Sequence, residues 1–145
     1  MVVSLDSFEH FSEPEHMLAL MGECLSNSGC VMASFGPTWF HPLCGHLFSV
    51  FPWTHWIFTE TTLIRWCSDL KTDGARRFGE VAGGLNQITI GRFERMVVAS
   101  GLPVVMLRAV LIRRLKRLNC RATREFTTAV VRCVLRKSPA SQTTT

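Results

Sequence analysis

Asp6, Glu9 and His10 stand within five residues of one another, directly after the short apolar run Val2-Val3-Ser4-Leu5. A run rich in β-branched residues reads as a buried strand. Ser12 with Glu15 three positions on reads as a capping box that opens a helix. The expected order is therefore strand, a loop carrying two carboxylates and an imidazole, then helix. In open α/β sheets ligands bind beyond the carboxyl ends of the strands. Asp6 to His10 occupy such a position. An imidazole titrates near neutrality and suits proton transfer from an oxygen or nitrogen nucleophile. The plain alternative for His10 is hydrogen bonding within its own loop. For the two acids it is favouring the positive end of the following helix.

The elements that must hold this loop follow in order. Met17, Leu18, Met21, Cys24 and Leu25 make one apolar stripe, which predicts a helix over residues 13–28 with Pro14 in its first turn and Gly29 as its cap. Cys30 to Phe35 is a second buried strand, so the opening third reads as a βαβ unit. From Cys24 to Thr59 there is no Asp, Glu, Lys or Arg, yet Pro37, Pro42, Gly45 and Pro52 deny this stretch a membrane span. Residues 37–88 are expected to fold over the strand ends as an aromatic-rich insertion, with loop and at most a short helix over 67–88. Asp73-Gly74 and Gly83-Gly84 are its turn signals.

Thr89 predicts a helix cap, with Ile90, Phe93, Met96 and Val97 on one face and Gly101 closing the helix. Strands are expected over 103–112 and 126–135. Their connection, 113–124, is too short for a crossover helix, so the two should pair antiparallel. Ser138 to Thr145 reads as a frayed tail.

Composition bounds the function classes. The chain has 145 residues and is 47% hydrophobic, one domain with a real core. Residues 1–60 carry six acids and no Lys or Arg, while 61–145 carry all 16 basic residues and five acids. A basic half points to nucleic acid or an anionic membrane, or simply to two layers facing different sides of one domain. The basic link 113–124 lacks interleaved aromatics for base stacking, so no nucleic-acid partner is expected. Six cysteines occur without a CxxC pair or a leading signal peptide, the pattern of reduced, largely buried thiols in a cytoplasmic protein. His41, Cys44, His46 and His55 match no standard zinc spacing, so no metal is expected.

Several segments match one family in order: Ser4 to His10 with its Glu9-His10 pair, Ser12-Glu13-Pro14, Leu25 to Gly29, Cys30 to Phe35, Phe93 to Gly101, and the closing strand pair. Together they resemble the C-terminal half of class I S-adenosylmethionine-dependent methyltransferases. The resemblance implies an α/β fold, a partial Rossmann-like methyltransferase sheet of two parallel strands plus a terminal antiparallel pair, with flanking helices. It implies S-adenosylmethionine as cofactor, contacted by Leu5, with Asp6 and Glu9 then binding the cofactor or orienting His10, the candidate general base. Trp39, Phe40, His41, Trp53 and Trp56 would then wall the pocket of a small or lipid-like methyl acceptor, aromatic faces also suiting a sulfonium cation. The family's Gly-rich loop after a strand and its ribose-binding acid have no counterpart here. Residues 1–137 are accordingly expected to be a truncated domain with impaired cofactor binding, whose Val2–Leu5 strand exposes an edge prone to self-association. The alternative is a non-catalytic half domain that meets a membrane surface or protein through the aromatic insertion and basic hairpin.

Overall fold

The computed structural model describes residues 1–47, 51–68, 74, 76–80 and 86–137. The sheet has four strands: β1 (Val2–Leu5), β2 (Cys30–Phe35), β3 (Val104–Leu111) and β4 (Thr128–Arg136). Their spatial order is β1-β2-β4-β3. β1 and β2 are parallel, and β4 lies antiparallel between β2 and β3. The expected parallel pair and terminal antiparallel pair are both present in this mixed α/β fold.

One face of the sheet carries the core. Val31, Phe35, Val131, Cys133 and Leu135 project from the sheet into it. They meet Leu18 of α1 (Pro14–Glu23) and Phe93, Met96 and Val97 of α4 (Ile90–Ala99). Phe8 joins them from the loop after β1. Its ring lies 5.5 Å from Phe93 and 6.1 Å from Phe35, while Phe35 and Phe93 are 4.7 Å apart. Such tilted and edge-on ring pairs add to the area they bury.

The opposite face differs from the buried strands that the sequence predicts. Cross-strand register lines up Val3, Met32, Val134 and Met106 in one row and Leu5, Ser34, Arg132 and Arg108 in the next. Val3, Leu5, Met32 and Met106 are exposed. β1 reads as buried because its residues are apolar, but only Ser4 is buried, since no described helix covers this face. β1 is also an edge strand among the described residues. Val3→Lys should therefore lower self-association, measured by light scattering. An unchanged particle size would show that β1 is not the contact.

The helices show which local signals governed. α4 starts as expected: Thr89 Oγ1 accepts from the Arg92 amide, and Gly101 follows the helix at φ +66°. α1 departs from expectation. It begins at Pro14 with no side-chain cap, so the Ser12–Glu15 box does not form. Glu15 instead makes a two-point ion pair with Arg92, at 2.9 and 3.0 Å. α1 also ends at Glu23, five residues early. Its last turn tightens through Leu25 N to the Gly22 carbonyl, and a Ser26–Gly29 turn follows. Cys24 is consequently exposed rather than part of the apolar stripe.

The insertion holds α2 (Thr54–Ile57), α3 (Glu60–Ser68) and a 3-10 turn at Cys44–Leu47, and the described residues of 67–88 add only the end of α3 and a short 3-10 turn at Phe78–Glu80, in line with the little helix expected there. Asp73, Gly83-Gly84 and the 138–145 tail lie outside the described residues. The β3–β4 connection folds into a 3-10 segment, Arg113–Leu118, and α5 (Arg124–Thr127), so β4 starts at Thr128. No described helix is long and apolar enough to cross a membrane.

Candidate functional site at the carboxyl ends of β1 and β2

The parallel pairing of β1 with β2 brings their carboxyl ends side by side. Asp6 N donates to the Ser34 carbonyl at 2.7 Å, and the chain then turns through Asp6 at φ 47°, a conformation that Asp tolerates better than most residues. His10 N donates to the Ser7 carbonyl, closing the turn. Phe8 and Glu9 point inward and are buried, while Leu5, Asp6 and His10 face outward.

Asn86 is the residue that sequence reasoning missed. Its amide nitrogen donates to the carbonyls of Phe8 (2.5 Å) and Phe11 (2.7 Å), and its Oδ1 accepts from Ile88 N. Its backbone N–H donates to the Glu9 carbonyl. The segment before α4 thus clamps the loop after β1. The one available signal was an Asn three residues before a helix cap, and that does not name its partners.

Glu9 differs from the other candidate cofactor contacts. It is 3% exposed, and its Oε1 accepts from Gly36 N at 3.3 Å, tying the loop after β1 to the end of β2. Its Oε2 is buried without a hydrogen-bond partner. Burial raises its pKa above the usual glutamate range, although the amides of Glu9 and Gly36 pull the other way. A carboxyl group with a raised folded pKa stabilises the fold below its unfolded pKa and loses that contribution as pH rises through the folded value. Relative to Glu9→Gln, the native chain should thus lose stability as pH rises above the ordinary glutamate range, followed by urea unfolding. A difference independent of pH would contradict the buried placement.

The aromatic candidates form a separate layer. Trp39 is half-buried, with its ring 4.6 Å from His55 and 5.7 Å from Phe78. Trp53 and Trp56 are exposed, and Trp53 Nε1 donates to the Phe40 carbonyl. Phe40 packs on Trp56 and Phe126. His41 Nδ1 accepts from Leu43 N. His55 Nε2 lies 2.7 Å from the Trp39 carbonyl, which can only accept, so this nitrogen carries the proton. Nδ1 is buried and unpartnered; protonating it would strand a charge, and burial lowers the His55 pKa. Burial, with the charge of Glu9 adding, pushes the Cys44 thiol up to about 12, so Cys44 is no thiolate nucleophile at neutral pH. No three His, Cys, Asp or Glu side chains among the described residues gather to hold a metal ion. No disulfide joins the five cysteines whose side chains are described.

The arrangement offers an outward carboxylate, an apolar contact and an imidazole at one strand end, on a loop fixed by a core phenylalanine and an asparagine clamp. No protein-family model and no curated protein sequence matches this chain.

Proposed function

We propose that this chain forms the carboxyl-terminal part of the sheet of a Rossmann-like, S-adenosylmethionine-dependent methyltransferase acting on a small or lipid-like acceptor. The observation that carries the reading is the parallel β1–α1–β2 unit, whose two carboxyl-end loops are tied together by Glu9 and Gly36, followed by an antiparallel closing pair. That is the strand pattern the methyltransferase resemblance implies, and it turns Leu5, Asp6 and His10 outward where open sheets bind ligands.

The residues fit one side of the cofactor. Leu5, 64% exposed, offers an apolar contact and Asp6 a carboxylate for hydroxyl or amino groups. The cofactor supplies an electrophilic methyl group on a sulfonium, so the protein's task is mainly positioning and exclusion of water. His10 takes the proton that the acceptor's oxygen or nitrogen gives up. Trp53 and Trp56, with Phe40, present the aromatic wall for an apolar acceptor. Glu9 keeps the loop in place from inside rather than meeting the ligand.

With no Gly-rich backbone cradle among the described residues, affinity for S-adenosylmethionine should be weak, with a Kd of about 1 mM. Asp6→Ala should abolish the residual binding in calorimetry. Micromolar binding by this chain would overturn the assignment of a one-sided site.

A further inference from the structure

We propose that segment 51–58 and the basic turn 113–121 form one surface that docks on an anionic lipid bilayer. This deepens the proposed function, because a lipid-like acceptor is reached from a bilayer surface, and it rests on that reading only for the identity of the acceptor. The two features are far apart in sequence, and the fold joins them. The Trp56 ring lies 6.0 Å from Phe126 and 5.1 Å from Phe40, which itself packs on Phe126. Phe126 belongs to α5 at the end of the β3–β4 hairpin. The next residue, Thr127, holds both ends of the 3-10 segment. Its carbonyl accepts from Ile112 N at 2.8 Å, and its hydroxyl donates to Asn119 Oδ1 at 2.7 Å.

The chemistry at this end of the molecule is amphipathic. Trp56 is 52%, Ile57 68% and Leu118 65% exposed. Beside them stand Arg113, Arg114, Lys116, Arg117 and Arg121, all exposed, and none forms an ion pair among the described residues. The adjoining acid does not cancel this charge. Glu125 is turned away to accept from the Ile90 and Gly91 amides. Indole rings favour the headgroup level, aliphatic side chains the acyl boundary just below it, and clustered cations the negative leaflet surface. A nucleic-acid groove would make use of the arginines and the indole, but it has no use for exposed Ile57 and Leu118.

The test is co-sedimentation of the full chain with phosphatidylcholine vesicles, with and without phosphatidylserine. Binding to the anionic vesicles alone, weakening as salt rises, is expected. Arg113→Ala should lower the partition coefficient about fivefold and Ile57→Ser by a similar factor. Arg136→Ala, at the far end of β4, should change it less than about twofold. Thermal melts of each variant confirm that it is folded. The proposal is overturned by equal binding to neutral vesicles, by no binding to anionic ones, by equal losses in R113A and R136A, or by a folded Ile57→Ser that binds as the native chain does. No cofactor or methyl acceptor is present, so failure here leaves the methyl-transfer reading standing. Loss of cofactor binding likewise leaves this one standing.

Discussion

Gly36→Ala should destabilise the chain by about 3 kcal/mol, lowering the melting temperature by roughly 10 °C. A Cβ at this position would lie 2.4 Å from the Ala129 carbonyl oxygen and 3.1 Å from Val130 Cα. Both obstacles are backbone atoms of β4, so no side-chain rotation relieves the overlap. The end of β2 would have to leave β4, and with it the Gly36 amide would leave Glu9. Calorimetric unfolding of the variant checks this, with Gly91→Ala as the contrast. At Gly91 the nearest atoms to an added Cβ are ends of the Glu125 and Arg95 side chains, at 3.5 and 3.7 Å. The loss there should stay below about 1 kcal/mol. Equal losses at the two glycines would contradict the close approach of β2 to β4.

Asn86→Ala should cost about 2–3 kcal/mol, because it removes three hydrogen bonds and leaves the Phe8, Phe11 and Ile88 backbone groups without those partners. Its effect should be local as well as global. Amide exchange over residues 6–11 should speed up more than exchange in β2 or β4, since the clamp grips that loop. Asn86→Asp keeps an acceptor for Ile88 N but sets a carboxylate against two carbonyl oxygens. It should therefore be no better than alanine above the carboxylate pKa. An Asn86→Asp variant as stable as the native chain at neutral pH would show that the two amide donors contribute little.

The parts legible in the sequence were those governed by local rules. Thr89 and Gly101 bounded α4 because a hydroxyl cap and a left-handed terminator act within a turn. The closing hairpin was legible from the length of its link, and the parallel opening pair from strand, helix and strand in succession. What failed was decided at long range. Glu15 fits a capping box, yet Arg92, far along the chain, draws it away. Phe8 sits in a polar loop, and nothing local foretells its place between Phe35 and Phe93. Val3 and Leu5 have the composition of a buried strand, but exposure depends on what covers the sheet face. In the site itself, sequence placed the acids together without showing that Glu9 turns inward and Asp6 outward. That split is set by the Gly36 contact and the Asn86 clamp.

The proposed function requires that the carboxyl ends of β1 and β2 form one ligand site. Titrating isotope-labelled chain with S-adenosylmethionine and following the backbone amide shifts tests it directly. Weak saturation is expected, with a Kd of about 1 mM, and shifts concentrated at Leu5, Asp6, His10 and the Ser34–Gly36 end of β2. Unmoved amides at those positions under saturating millimolar cofactor, or shifts confined to the exposed sheet face around Met32 and Met106, would contradict it.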